Sequence, residues 1–295
     1  MHTFVQALIL GVLTGGVYAL MSTGQTLVFG VLRVVNVGQG MLVILSAYLS
    51  YTVHQKLGID PFATIVIVMP LMFAVGVLIQ LAFIRPVKRS RTEAGFEQTL
   101  LIMFALAVGI EGIVDLIYSA EYRSITTSYA NSSLTVAGYT FSVVRVLAFV
   151  LAVALLAALW MVLNKTEFGR AVRATVQNPT SARLLGVDTE RIGALGMGLG
   201  FSLAGASGAV FGLIYPFNAN SSYDLVSRLL SIIVLGGLGS VIGAVVGSLA
   251  LGVAEAVVAV TISPVWAPFT FLVVLMVVLL VRPQGLFGVV ERGAL

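Results

Sequence analysis

Long apolar runs without a single charged residue restrict the fold of this chain more than any other feature. A bilayer core of about 30 Å requires about 20 mostly apolar residues per helix. The charge-free runs that reach this length are 4–32, 61–84, 192–214, 229–254 and 256–281. They are solidly apolar and lack the alternation that barrel strands show, which favours helices. The sequence therefore predicts an all-α integral membrane protein.

The composition agrees with this class. Only 9% of the residues are charged, against about 25% in a soluble domain. The net charge of +4 does not indicate nucleic-acid binding, and the absence of cysteine excludes disulfides and thiol-bound metals. No Lys or Arg precedes the first apolar run, so we interpret that run as a membrane helix and not as a secretion signal.

The basic residues indicate the topology. Most of the 16 Lys and Arg residues fall in 85–91, in 165–191 and in the tail from 281, which the positive-inside rule places in the cytoplasm. Arg33 near a cytoplasmic helix end would put the N-terminus outside. Fitting spans between these segments predicts about eight or nine crossings in one membrane domain, 1–295, with 215–224 as an external loop.

Two glycine clusters interrupt the apolar runs and predict broken or half helices, among them 226–236. The clusters are "NVGQG" at 36–40 and "GGLGS" at 236–240. Glycines at four-residue spacing also serve simple close packing of helices. In transporters, however, helix breaks expose backbone dipoles to the solute.

A carboxylate within the apolar region is the other pathway feature. Glu255 separates two charge-free runs, and a charge at the bilayer centre costs about 2.5–3.5 kcal/mol on insertion scales. Either it pairs with Arg228 or Arg145, or it has a pathway role. The candidate pathway residues are Asn36, Gln39, Gly40, Gly236, Gly237, Gly239 and Glu255.

No pattern indicates catalysis. Both histidines, His2 and His54, sit at span ends, and the sequence has no phosphate-binding G-x-x-x-x-G-K-[ST] loop. We therefore predict a non-enzymatic protein with no catalytic residue, no metal site and no cofactor of its own. A self-contained secondary carrier, using Glu111, Asp115 and Glu255 for protons, remains an alternative, and a non-transporting membrane scaffold is a third.

The segment "NPTSARLLGVD" combines a helix start and a helix stop. Asn178 suits the N-cap and Pro179 the first helical position, whereas Gly186 suits a left-handed C-terminal cap. So short a helix is unstable alone in water, so it needs a surface, which is either the chain's own helix ends or a separate cytoplasmic protein. The candidate docking residues are Asn178, Pro179, Ala182, Arg183, Leu184, Leu185, Gly186 and Val187.

Four stretches resemble the membrane permease family of branched-chain amino acid ABC importers. They are "GVLTGGVYALMSTGQTLVFGVLRVVNVGQGMLVILSAYLS", "FGRAVRATVQNPTSARLLGVDTERI", "IIVLGGLGSVIGAVVGSLALGVAEAV" and "RPQGLFG". Asn36, Gly38 and Gly40 lie in the family's N-x-[AG]-x-G motif. The family commonly has histidine before the second glycine, where this chain has Gln39.

The resemblance implies a permease subunit of a bacterial inner-membrane importer for branched-chain or other hydrophobic amino acids. Related permeases carry urea or short amides, which keeps those solutes open. The implied partners are a second permease subunit, two cytoplasmic ATPase subunits that use ATP, and an external solute-binding protein. The loop 165–191 would then hold the helix that couples to the ATPase.

Overall fold

The computed structural model describes residues 2–89, 95–127, 129–130, 132–136, 138–282 and 284–288. Arg91 and Arg292, two of the basic residues used for the topology, lie outside these ranges. The first helices are α1 (His2–Leu32), α2 (Gln39–Leu57), α3 (Pro61–Ile79), a π-helical turn (Gln80–Ile84), α4 (Arg85–Arg89) and α5 (Gly95–Tyr118).

A short antiparallel hairpin, β1 (Ser133–Val136) with β2 (Tyr139–Ser142), separates these helices from the second half. The later helices are α6 (Val143–Lys165), α7 (Glu167–Gln177), α8 (Pro179–Leu184), α9 (Thr189–Ile214), α10 (Ser221–Gly236), α11 (Val241–Thr261), a 3-10 turn (Pro264–Trp266) and α12 (Phe269–Val281). The prediction of an all-α membrane protein is confirmed.

Six helices among the described residues are long and apolar enough to cross a membrane. They are His2–Leu32, Pro61–Val87, Glu97–Tyr118, Val143–Lys165, Thr189–Ile214 and Val241–Thr261. Of the remaining helices, α2, α10 and α12 also contain apolar stretches, but each is shorter or less apolar than these six.

The two central helices are α1 and α9, which pack against each other. α1 also packs along α11, and α9 also packs along α2 and α3. Small residues permit this, because a Cβ on Gly24 of α1 would lie 2.6 Å from the Gly200 carbonyl oxygen of α9. α5 and α6 lie at the periphery, with large apolar side chains such as Leu116 exposed.

The two ends of the bundle differ in charge. At one end, the His2 ring stacks on Tyr139 of the hairpin, with ring centroids 4.3 Å apart. At the other end, Arg85 and Glu190 form an ion pair of 2.6 Å and share a polar cavity with Arg33, at the end of α1. The positive-inside rule predicts that the Arg85 end faces the cytoplasm, and with it that the N-terminus faces the outside.

One predicted boundary is wrong. The segment 215–224 was predicted as an external loop, but α10 already begins at Ser221. The cause is local capping, because the Asn218 side-chain oxygen accepts hydrogen bonds from the Ser221 N–H at 3.0 Å and hydroxyl at 2.9 Å. The interruption is thus shorter than the polar sequence suggests.

Candidate functional site

The helix start at Asn178 is built as predicted. Its side-chain oxygen accepts hydrogen bonds from the N–H groups of Thr180 and Ser181, both at 3.0 Å, and Pro179 occupies the first helical position. These bonds satisfy two of the backbone donors that a helix start leaves unpaired.

The helix end at Gly186 is confirmed as well. Gly186 has φ +85°, and its N–H donates to the Arg183 carbonyl oxygen at 3.0 Å. The Val187 N–H donates to the Ala182 carbonyl oxygen, also at 3.0 Å. This is the Schellman pattern of a helix closed by a left-handed glycine. Asp188 then caps α9 by accepting from two backbone N–H groups at 3.1 Å.

The two faces of α8 have opposite environments. Ala182 is 2% exposed, whereas Leu184 and Leu185 are 84% and 83% exposed. The Arg183 Nε donates to the Thr189 hydroxyl at 2.6 Å, which ties α8 to the first turn of α9. The segment is therefore fixed on one side and exposes two adjacent leucines on the other.

Beneath α8 lies a polar cavity of about 460 Å³, between the ends of α1, α7 and α9, the π-helical turn and the start of α4. Its lining includes Arg33, Gln80, Arg85, Thr175, Pro179, Arg183 and Glu190. The cavity connects the α8 segment with the ends of the two central helices. A displacement of α8 would therefore act on α9, to which the Arg183–Thr189 hydrogen bond ties it.

Glu255 forms the predicted ion pair with Arg228 and not with Arg145. Arg228 Nη1 contacts Glu255 Oε1, and Arg228 Nε contacts Asp224 at 2.8 Å. The Tyr18 hydroxyl donates to Glu255 at 3.0 Å and accepts from Arg228 at 2.7 Å. The guanidinium also lies 5.0 Å from the centre of the Phe271 ring. Four helices, α1, α10, α11 and α12, thus meet at one charged cluster.

This cluster borders an external cavity of about 430 Å³, which we call the outer vestibule. Its lining mixes aromatic, charged and amide side chains: Tyr18, Tyr122, Phe211, Tyr215, Pro216, Asn218, Asn220, Ser221, Asp224, Arg228 and Glu255. A smaller cavity of about 230 Å³, which Arg145 also lines, shares Tyr215 and Glu255 with it. Both signs of charge and apolar ring surface are available in one space.

The Asn36–Gly40 turn is buried inside the bundle. Asn36 and Gln39 are 0% and 1% exposed, and Asn36 Nδ2 donates to Gln39 Oε1 at 2.9 Å. Gln25 of α1 donates to the Asn36 carbonyl oxygen at 3.1 Å. Among the described residues, the side-chain oxygens of Asn36 and Gln25 are buried without a hydrogen-bond partner, which makes this turn a polar spot within an apolar core.

Gly40 allows α2 to approach α10. A Cβ at Gly40 would lie 2.4 Å from the Ser222 carbonyl oxygen and 2.8 Å from Val226. Both distances are shorter than real Cβ contacts, so a residue with a Cβ does not fit here without a shift of its neighbours. Backbone proximity, and not backbone flexibility, is therefore the reason for a glycine in this position.

The GGLGS break lies at the cytoplasmic end of the bundle. Gly237 and Gly239 have φ +93° and +84°, and Gly239 lies near Gly30, close to the end of α1. Gly236 packs against the backbone of Gly243, so the break makes the tight turn from α10 to α11. The structure thus separates these glycines from Glu255 and from the Asn36–Gly40 turn.

The sequence did not single out Asn218, Tyr18 or Tyr215, although all three border the outer vestibule. The signal available for Asn218 was the Asn- and Ser-rich stretch "NANSS", which we interpreted only as a loop. Of the carrier candidates on α5, Glu111 accepts a hydrogen bond from Tyr223 at 2.8 Å.

Comparison with known proteins gives consistent similarities. The family model described as "Branched-chain amino acid transport system / permease component" matches residues 7–281. The chain is 26% identical to the high-affinity branched-chain amino acid transport system permease protein BraD of Pseudomonas aeruginosa, over 97% of this chain and 96% of the relative.

Two permease proteins named LivH are also similar. The high-affinity branched-chain amino acid transport system permease protein of Escherichia coli K12 is 29% identical over 97% of this chain and 96% of its own length. The probable branched-chain amino acid transport permease protein of Methanocaldococcus jannaschii is 24% identical over 92% and 88%. No solved structure matches the chain.

Proposed function

Since the chain belongs to the family of permease components of branched-chain amino acid transport systems, we propose that it moves branched-chain or other hydrophobic amino acids as the membrane subunit of an ABC importer. It is a multi-pass inner-membrane protein and a transport subunit, not itself an enzyme. We propose nine crossings in one membrane domain, made by the six long helices with α2, α10 and α12.

The exposed leucine pair at the end of α8, Leu184 with the C-cap residue Leu185, is the observation that carries this proposal. Leu184 and Leu185 are each more than four-fifths exposed at the cytoplasmic face, on a helix whose two ends are closed by Asn178 and Gly186. Adjacent exposed leucines on a rigid segment fit a groove of a partner. We propose that the partner is an ATPase subunit and that α8 is the coupling helix.

The assembly follows from the same reasoning. Two permease subunits would form the pathway, two cytoplasmic ATPases would use ATP, and an external binding protein would deliver the solute to the outer vestibule. This chain would bind no cofactor of its own. ATP-driven closure of the ATPases would push α8, and the Arg183–Thr189 hydrogen bond would pass that motion to α9.

The outer vestibule supports an amino acid as the solute. An amino acid carries both charges and an apolar side chain, and the vestibule lining offers Asp224, Arg228, Glu255 and aromatic rings. Urea is neutral and has no apolar part. The match to a family of permease components of branched-chain amino acid transport systems does not favour a proton-coupled carrier.

Reconstitution tests the proposal. The permease with its cognate ATPases and binding protein should import leucine, isoleucine or valine into proteoliposomes only when ATP is present, and should import urea and acetamide much more slowly. Uptake that persists without any ATPase, driven by a proton gradient, would contradict it. Faster uptake of urea than of leucine would contradict the solute.

A further inference from the structure

The polar cavity beneath α8 collects arginines from three separate parts of the chain. Arg33 follows the end of α1, Arg85 begins α4, and Arg183 lies in α8. The carboxylate in the lining is Glu190, and three arginines against one carboxylate leave an excess of two positive charges. The cavity is therefore a positively charged space of about 460 Å³.

The positive-inside rule explains why basic residues occur at this end of the bundle, but not why they line one cavity. Two arginines outside the cavity, Arg170 and Arg191, each have a carboxylate three residues away, at 3.3 Å and 2.8 Å. Local ion pairs of this kind involve a single helix and its cap. The cavity arginines, by contrast, come together only through the packing of different helices.

Two of the three cavity arginines have no carboxylate partner among the described residues. Arg85 Nε lies 2.6 Å from Glu190 Oε2. Arg183 Nε donates to the Thr189 hydroxyl at 2.6 Å, which leaves both terminal nitrogens of its guanidinium without a described partner. The Arg33 side chain has no hydrogen bond or ion pair within the described part of the chain. The guanidinium groups of Arg33 and Arg183 are thus available to an anion.

Uncharged polar groups complete the lining. The Thr189 hydroxyl accepts the bond from Arg183, and its own hydrogen has no acceptor among the described residues. Gln80 is 4% exposed, and in the same part of the chain its side-chain oxygen has no hydrogen-bond partner. Buried polar atoms in folded proteins almost always have partners. The wall of the cavity is therefore suited to a polar occupant.

The chemistry of these groups favours a phosphate over other anions. A guanidinium presents paired N–H donors whose spacing matches two phosphate oxygens. A phosphate has enough oxygens to bind two guanidinium groups and a hydroxyl at once, whereas a carboxylate has only two oxygens. The volume of about 460 Å³ lies within the range of ordinary ligand pockets, so a phosphate fits together with a small group attached to it.

We propose that the cavity beneath α8 binds a phosphate group between Arg33 and Arg183, with Arg85 and the Thr189 hydroxyl as further contacts. The phosphate belongs either to a free anion or to the headgroup of an anionic phospholipid. Cytoplasmic leaflets carry such lipids, which attract basic residues near the membrane surface. The proposal concerns this cavity alone and does not depend on which solute the protein transports.

A phosphate in this position would add a connection to α8. Arg183 bonds to α9 through Thr189, and the described hydrogen bonds of α8 side chains include none to α1. A phosphate that binds Arg33 and Arg183 together would join α8 to the end of α1. Its binding would therefore restrain the segment that exposes Leu184 and Leu185.

Binding of radiolabelled inorganic phosphate to the full-length protein in non-ionic detergent tests the free anion. The unmodified protein should show saturable binding. Arg33→Asn should weaken it by about tenfold or more, because it removes charge-assisted hydrogen bonds. Arg33 has φ +52°, a conformation that asparagine tolerates, so this variant should fold. Arg183→Gln removes the other guanidinium independently and should weaken binding by a similar factor.

Arg170→Gln is the matched control for both variants. It removes the same charge, but Arg170 does not line the cavity. The affinity for phosphate should stay within about twofold of the unmodified protein, because a charge outside the site acts only through screened attraction. Equal weakening by Arg33→Asn and Arg170→Gln would show that phosphate responds to net charge alone, and the proposal would be wrong.

Nanodiscs distinguish the two sources of the phosphate. Hydrogen–deuterium exchange of the α8 backbone is measured in phosphatidylcholine, whose headgroup has no net charge, and in a mixture with phosphatidylglycerol. Slower exchange in the mixture identifies a lipid headgroup. Slower exchange only after inorganic phosphate is added identifies the free anion, and the rate should fall about tenfold at ten times the dissociation constant.

Either slowing of exchange supports the proposal if Arg33→Asn abolishes it and Arg170→Gln does not. Absence of saturable phosphate binding, together with unchanged exchange in phosphatidylglycerol, would overturn it. ATP-driven uptake by the same preparations is a separate measurement. Normal uptake without any phosphate effect contradicts only this site, whereas phosphate binding without uptake contradicts only the proposed function.

Discussion

Arg228 of α10 and Glu255 of α11 form an ion pair whose side chains are only 12% and 16% exposed. The pair is not symmetric in its other contacts. Arg228 has a second carboxylate, Asp224, at 2.8 Å, whereas Glu255 has only the Tyr18 hydroxyl besides Arg228 among the described residues. The two partners should therefore differ in how much their removal costs.

Arg228→Met should destabilise the protein more than Glu255→Gln. Removing one member of a buried pair costs about 3–5 kcal/mol because the other charge stays buried, and Asp224 compensates Arg228 but nothing compensates Glu255. The double variant Arg228→Met/Glu255→Gln should be more stable than Arg228→Met alone. Thermal unfolding in detergent measures all three, and a lower melting temperature for Glu255→Gln than for Arg228→Met would contradict the asymmetry.

Gly186→Val should uncouple ATP hydrolysis from uptake. Nothing lies within 4 Å of a Cβ at this position, so the cost comes only from φ +85°, roughly 1–2 kcal/mol for a residue with a Cβ. We expect the chain to relieve this backbone strain by moving the end of α8. Asn adopts this conformation more readily, so Gly186→Asn is the matched control and should retain coupling. The ratio of ATP hydrolysed to solute imported measures the effect.

Leu184→Ser/Leu185→Ser should abolish stable binding of the ATPase without changing the melting temperature of the isolated permease. Both side chains are exposed and contribute little to the permease core. Leu116→Ser, at 88% exposure on α5, is the control and should leave ATPase binding intact. Co-purification measures binding. Retained binding in the double serine variant would mean that α8 is not the docking surface.

Gly40→Ala should destabilise the bundle by about 1–3 kcal/mol, the usual cost of overpacking. The new methyl group would meet the Ser222 carbonyl oxygen and push α2 away from α10. Gly109→Ala on the peripheral α5 is the matched control, because nothing lies within 4 Å of its Cβ. Equal melting temperatures for the two alanine variants would show that the contact adapts without cost.

Local sequence patterns predicted the α8 segment in detail. Asn178, Gly186 and Asp188 act through bonds to residues only two or three positions away, so their roles depend on local spacing alone. The class of protein was predictable for a related reason: a bilayer imposes one apolar length on every crossing helix, whatever the neighbours are.

Contacts between distant parts of the chain were not predictable in this way. The sequence left Arg228 and Arg145 as equal partners for Glu255, and the packing of α10 on α11 selected Arg228. The polar stretch at 215–224 reads as an external loop in the sequence, because its composition does not reveal that the Ser221 N–H donates to the Asn218 side-chain oxygen and starts α10 early.

The sequence by itself determined that the chain crosses a membrane and how α8 begins and ends. Only the tertiary structure decided the pairing of Glu255, the burial of the Asn36–Gly40 turn and the contact of Gly40 with Ser222. The physical reason is that helix caps and apolar runs depend on near neighbours. A buried charge or a close backbone contact depends instead on which helices pack together.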